Sequence, residues 1–585
     1  MMTTEGTEKV ASLCEEFWEW RVQEAPEFAS LCGDHRYDNR LNDYSEEGFL
    51  RRLTKAEDFL ARSKSLDEKE MSENASEDLM ALKEDLQTFI GGMKFRAYVF
   101  LFMYNEALHN DWDQLVSWMK FEKIEDFRMY VQRLRCLPTQ INQVEKLMKL
   151  GIENEMTHYA ASMDGVLDSL TEFLQLADKR QSVYFEPFKP NLIKEGLNQE
   201  ELSAVQNDAL KIISEEIQPA YQSLRNFIEK EYLPKCSKQE GVCCLPNGAE
   251  FYQKCLESHL TLKMTPKEVH EIGLKEVARI REEMMKVKEV IGFDGDLKAF
   301  LHHLRTDKQF YFEKKEDLLG GYRNICDNRI RPQLSKLFKN IPNSKLIIKE
   351  APESKKFGPA AYYMTGTLDG SRPGTYFVNC YQLEAAPKFE MVTLSLHEGE
   401  PGHHFQGMYA IEMKDAPKFR KYFEDMNYSL APSRFSLNTA YGEGWALYCE
   451  YLGKELGLYE DPYQLFGYLT SEIYRACRLV VDTGIHSFGW SAEKAVQFML
   501  ENTAVTELEI RSEVRRYITW PGQACAYKIG ELKIKELRKK AASQLGDRFN
   551  VADFHGIVLR SLAVPMSMLE SLIDKYIERT LQTAS

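Results

Sequence analysis

Between Asp208 and Leu233 the apolar residues Ile213, Ile217, Tyr221, Leu224, Phe227, Ile228 and Tyr232 return every three or four positions. That is the period of a helix with one buried face. Leu569, Leu572, Ile573, Tyr576 and Ile577 repeat it near the C-terminus. Thr265-Pro266-Lys267-Glu268 is a helix start, with a capping threonine, proline in the first turn and glutamate three residues on. The serine- and acid-rich stretch Ser63 to Asp78 reads as an exposed connector. Cys236 to Gly248, containing Pro246-Asn247-Gly248, marks a boundary between an N-terminal helical part, 1–240, and a second part, 241–585, packed together as one continuous unit. Neither internal repeats nor low-complexity tracts interrupt the pattern.

One region departs from it. Lys345 to Lys349, Ala360 to Met364 and Thr375 to Asn379 are short β-prone runs separated by proline and glycine turns. They predict a small sheet directly ahead of a histidine-rich segment. The alternation of Tyr376 and Val378 against Phe377 predicts a sheet edge facing that segment, where an extended peptide could add as a further strand. The fold class expected is mainly α: a large two-lobed helical protein with a central groove and a small sheet beside a metal-binding helix.

Composition narrows the function classes. A chain of 585 residues, 44% hydrophobic, can bury a large core. Its net charge of -15 argues against nucleic acid or an anionic membrane as partner. The longest apolar run, Ala97 to Tyr104, falls far short of the roughly 20 residues of a membrane span. With an acidic N-terminus and twelve irregularly spaced cysteines, a cytoplasmic protein with reduced thiols is expected.

The chemistry concentrates in TLSLHEGEPGHHFQG, Thr393 to Gly407. In H-E-x-x-H two histidines four positions apart reach one metal ion from one helix face. Here Pro401 occupies the fourth position after His397, and the next histidines are His403 and His404. On a regular helix His404 would lie about 10 Å along the axis from His397, and His403 would face elsewhere. The helix cannot stay regular, because Pro401 removes a donor and clashes with the carbonyl at 397, between permissive Gly399 and Gly402. With two residues looped out, His403 takes the second ligand position, and His404 is the alternative or outer partner.

A catalytic zinc takes three protein ligands and keeps one position open. Glu443, in YGEGWALYCEYLG (Tyr441 to Gly453), is the preferred third ligand, with Glu450 as its alternative or as a hydrogen-bond partner of a ligand histidine. Glu398 is then placed to activate water as general base. His486 and Tyr517 are candidates for the developing oxyanion. Arg372, Tyr376, Arg478, Gln523, Tyr527 and Lys528 are candidates for holding the substrate, an arginine clamping its carboxylate.

HEGEPGHHFQ, GEGWALYCE, GSRPGTYFVN, RLVVDTGIHSFGW and RYITWPGQACAYKIG, taken together, resemble the DUF885 proteins. That family resembles the gluzincin metallopeptidases, zinc enzymes that use two histidines and a downstream glutamate. The resemblance implies one Zn2+ per chain and a carboxypeptidase-like hydrolase of short peptides. Two other classes remain: a helical iron or manganese redox protein using the same His/Glu cluster, around which no pair of Glu-x-x-His repeats is found, and an inactive binding protein.

Overall fold

A computed structural model describes residues 5–103, 106–353, 358–422 and 430–582. It is built mainly of α-helices with a small three-stranded sheet. The periodic stretch before Leu233 is one long helical run, Gln199–Ile212 continuing through π-helical turns at Ile213–Ile217 and Ile228–Tyr232. Thr265 and Glu268 cap helix Pro266–Ile291 reciprocally. Only Ser65 to Ser72 connects helices Glu46–Lys64 and Glu73–Met93, so the expected connector was too long: Ser72 caps the second helix and Asn74 to Asp78 are its first turns. A buried core runs from Val10 to Ile577 and draws on both sides of the Cys236–Gly248 segment. That segment is itself packed, since the amide of Val242 donates to His486 and Ser237 to the carbonyl of His158.

A second apolar cluster surrounds helix Pro462–Phe488. From Phe466 to His486 every residue of this helix is buried except Arg475. A helix buried all round must be covered on every side, and Pro266–Ile291 covers one side closely, at Gly273 against Leu479 and Val480. Helices Thr439–Glu455 and Ala526–Leu545 come equally close at Gly444 and Gly530, where a methyl group on Gly530 would collide with the Ala440 carbonyl.

The sheet consists of Ile347–Glu350, Thr375–Val378 and Ala361–Met364 in that spatial order. The first pair is parallel, with Ile347 opposite Thr375, and the second antiparallel, with Ala361 opposite Val378. Thr375–Val378 is therefore the central strand, not an edge. Its backbone is taken on both sides, and a peptide cannot add to it. The alternating pattern reported one buried face correctly but could not tell a central strand from an edge. The outer strand Ala361–Met364 packs against the two histidine-bearing helices.

Substitution of Gly530 by alanine is expected to push helices Thr439–Glu455 and Ala526–Leu545 apart and to cost about 1–3 kcal/mol. A melting temperature equal to that of the wild type would show that this crossing separates freely.

Candidate metal centre

His397 ends helix Met391–Glu398, and His403 begins helix His403–Glu412. Between them the chain leaves the helical path. The amide of Gly399 still donates to the Ser395 carbonyl at 3.0 Å, and helical bonding resumes with the amide of Gln406 on the Gly402 carbonyl at 2.9 Å. The intervening turn is held by two side chains. Trp445 donates its indole N–H to the Pro401 carbonyl at 2.9 Å, and Arg331 pairs with the buried Glu400 while reaching the Pro342 carbonyl at 3.1 Å. A Cβ on Gly402 would collide with the carbonyls of Leu396 and His397, so only glycine lets the chain turn this tightly.

The turn brings His403 beside His397, their rings nearly perpendicular with centroids 4.9 Å apart. Nε2 of His397 lies 3.5 Å, and Nε2 of His403 3.3 Å, from the same Oε2 of Glu443. These are ion-pair separations without a well-formed hydrogen bond, and that buried oxygen is otherwise unpaired. Two ligands of a tetrahedral zinc, each about 2.0–2.1 Å from the ion, sit about 3.4 Å apart. The three side chains thus fit a divalent ion, and among the described residues they are the one group of three metal-capable side chains drawn together, within 4.8 Å.

Glu450, wholly buried, accepts from Nδ1 of His397 at 2.7 Å, which leaves Nε2 to face Glu443. Burial works against a charge on His397, but Glu443 and Glu450 more than offset it and raise the imidazole to about 9. Burial likewise opposes ionisation of Glu443, and His403 and His397 still hold its carboxyl well below the usual range. For Glu398 burial dominates: its carboxyl is raised despite the opposing pull of His397 and His403. A carboxyl so placed is a readier proton acceptor than an exposed one.

The other candidates divide. His404 points elsewhere, hydrogen-bonded to Tyr363 at 3.2 Å and near the Ser344 carbonyl at 3.1 Å, so it does not join the cluster. Tyr527 does approach it: its ring lies parallel to that of His397 at 6.5 Å, with Glu443 adding to the effect of burial that keeps its hydroxyl protonated. Gln523 donates to the Tyr527 hydroxyl at 3.4 Å, and the Arg478 guanidinium lies 4.5 Å from the same ring centroid. Arg478 is already engaged by Glu513 at 2.9 Å and by the Tyr517 hydroxyl at 2.9 Å.

Five expectations are corrected. Tyr517 is buried on Arg478 and Tyr474 rather than in the cluster. Both ring nitrogens of His486 are spent on backbone, the Val242 amide and the Tyr517 carbonyl, so it has no donor left for an oxyanion. Lys528 is enclosed by Glu472, Glu531 and Glu276 at 2.7, 2.6 and 3.3 Å rather than turned to the cluster. Arg372 turns Nη2 to the Leu31 and Thr365 carbonyls at 2.9 and 3.4 Å, tying down the turn ahead of the central strand. Tyr376 is wholly buried against Tyr322, ring to ring at 5.4 Å. Sequence reasoning missed Trp445 and Ser471. The signal for Ser471 was a serine four residues before Arg475, one turn away on the same helix.

All twelve cysteines are free, and among the described residues no helix is long and apolar enough to cross a membrane. The fold is shared with two solved structures. One, described as "the putative lipoprotein from Colwellia psychrerythraea", has a TM-score of 0.90 and 26% identity, covering 98% of this chain and 99% of that one. The other, "a putative lipoprotein of unknown function from Shewanella oneidensis", has a TM-score of 0.65 and 18% identity, over 96% and 99% of the two chains, and shows the fold alone. No curated protein matches the chain. A family model described as "Bacterial protein of unknown function (DUF885)" matches residues 26–573, and the chain belongs to that family.

Proposed function

We propose that this protein is a zinc-dependent hydrolase of short peptides, with one Zn2+ held by His397, His403 and Glu443. The observation that carries the reading is the meeting of these three side chains beside a buried, proton-accepting Glu398. The peptide substrate and carboxypeptidase-like chemistry follow from the resemblance to gluzincin enzymes.

A zinc ion in such a site supplies a Lewis acid and makes water acidic enough to attack near neutral pH. The chain's own groups do the rest. Glu398 takes the proton of the attacking water, its burial favouring the protonated product of that step. Tyr527 keeps its proton and donates a hydrogen bond to the oxygen on which charge develops at the attacked carbonyl. Arg478, behind the Tyr527 ring, and Gln523, on its hydroxyl, hold the phenol in place. Glu398 then returns its proton to the departing amine.

Two histidines and one carboxylate are also the donor set of non-haem iron enzymes, which keeps an iron redox protein as the second reading. A buried base beside the ligands is needed by hydrolysis and not by that chemistry. The experiment is metal analysis of protein purified without added metal, followed by digestion of a peptide library.

In Glu398→Gln zinc should remain bound while peptide hydrolysis falls about 10²- to 10⁴-fold. Full activity in this variant would end the mechanism. Glu443→Ala should lose zinc and activity together, and unchanged zinc content would remove Glu443 from the ligand set. Tyr527→Phe should lower kcat by about 10²- to 10³-fold with little change in KM; a change in KM alone would make Tyr527 a substrate contact only.

A further inference from the structure

Arg475 is the one residue between Phe466 and His486 that helix Pro462–Phe488 does not bury. Its guanidinium Nη1 donates to the Ser471 hydroxyl oxygen at 2.5 Å, one turn back on the same helix. The Ser471 hydroxyl donates to Oε2 of Glu450 at 2.7 Å, and Nδ1 of His397 lies 2.7 Å from the other oxygen of that carboxylate. Nη2 of Arg475 also stands 3.8 Å from Oε1 of Glu450. Four side chains from three helices form an unbroken chain.

Its direction is set by the end that cannot reverse. An arginine has donors and no acceptor, so at the Arg475–Ser471 contact the serine oxygen must accept. The hydroxyl hydrogen is then free only for Glu450. With Ser471 donating to Oε2, the other oxygen of Glu450 is the one left to accept from His397. At the last link His397 then carries a proton on Nδ1, and Nε2 is the nitrogen turned toward Glu443, the one that would give up its proton to meet a metal. A neutral His397 with its proton on Nε2 instead would block a metal at that nitrogen.

We propose that Ser471 and Arg475 are positioning residues of the metal centre, which act through Glu450 to fix the His397 tautomer that binds the ion. The proposal rests on the metal reading above. Neither residue touches the ligand atoms.

The test is zinc affinity by chelator competition, with the melting temperature of metal-free protein as control for folding. Ser471→Ala should weaken zinc binding about tenfold or more, the usual effect of removing an outer partner of a ligand histidine. Ser471→Thr keeps the hydroxyl and should restore wild-type affinity. Arg475→Gln, whose amide can accept as well as donate, should weaken binding as Ser471→Ala does. In a Glu450→Gln background Ser471→Ala should add no further loss, because residues acting through a shared partner are not additive. Unaltered affinity in Ser471→Ala, or an equal loss on top of Glu450→Gln, would overturn the relay while leaving a zinc-binding wild type intact. A wild type that binds no zinc would overturn the metal reading and the relay with it.

Discussion

Glu450 has no exposed surface, and a carboxylate in that position must be answered by donors on both oxygens. His397 answers one and Ser471 the other. Much of the architecture around the cluster follows from this requirement. Helix Thr439–Glu455 carries both Glu450 and Glu443, seven residues apart and so on one face about two turns from each other. One glutamate orients His397 from behind while the other meets it in front, and the imidazole is held between them. The same helix contributes Trp445, whose indole pins the turn that delivers His403. A single rigid element thus sets the positions of both histidines.

The turn solves a steric problem that the spacing created. Six positions separate His397 from His403, too many for one helix face and too few for a free loop. The helix stops at Glu398, the chain folds over Gly399 to Gly402, and a second helix starts at the ligand itself. Gly402 is required because any Cβ there would collide with the carbonyls of Leu396 and His397. Glu400 is paired with Arg331, and the two effects on it compete: burial, the larger, raises its carboxyl to about 7, and Arg331 opposes that rise. The polar residues of this segment that do not reach the cluster are what keep it folded.

Much of this was legible in the sequence, and the failures have a common cause. Apolar periodicity gave the helices, and the Thr265–Glu268 box and the Pro401 break are local signals that depend on few neighbours. The grouping of His397, His403 and Glu443 followed from helix geometry and the number of ligands a metal takes. What sequence could not give was the direction in which a polar side chain leaves a buried helix. His486, Lys528 and Arg372 all have the chemistry of a substrate contact, yet each meets a partner more than fifty residues away that no local pattern reveals: Val242, Glu472 and Leu31. The central strand was mistaken for an edge for the same reason. Its neighbours on the two sides, Ile347–Glu350 and Ala361–Met364, both precede it in the chain, and the parallel pairing with the first leaves no turn signal.

Lys528 illustrates what such a partner achieves. It lies next to Tyr527, and its acceptor Glu472 lies next to Ser471. On each helix, therefore, one residue faces the metal cluster or its relay and the adjacent one faces a buried ionic group completed by Glu276, Glu531 and Arg279. Burial and the surrounding carboxylates act in opposite directions on Lys528, and the carboxylates prevail, so it stays charged. Such a group is a poor source of stability compared with well-packed apolar side chains, but losing one member leaves an uncompensated buried charge at a cost of about 3–5 kcal/mol. Helices Pro266–Ile291, Pro462–Phe488 and Ala526–Leu545 can therefore slide past one another only by breaking it. Because Ser471 and Tyr527 are the immediate neighbours of its members, the ionic group fixes the register at which the relay and the phenol meet His397.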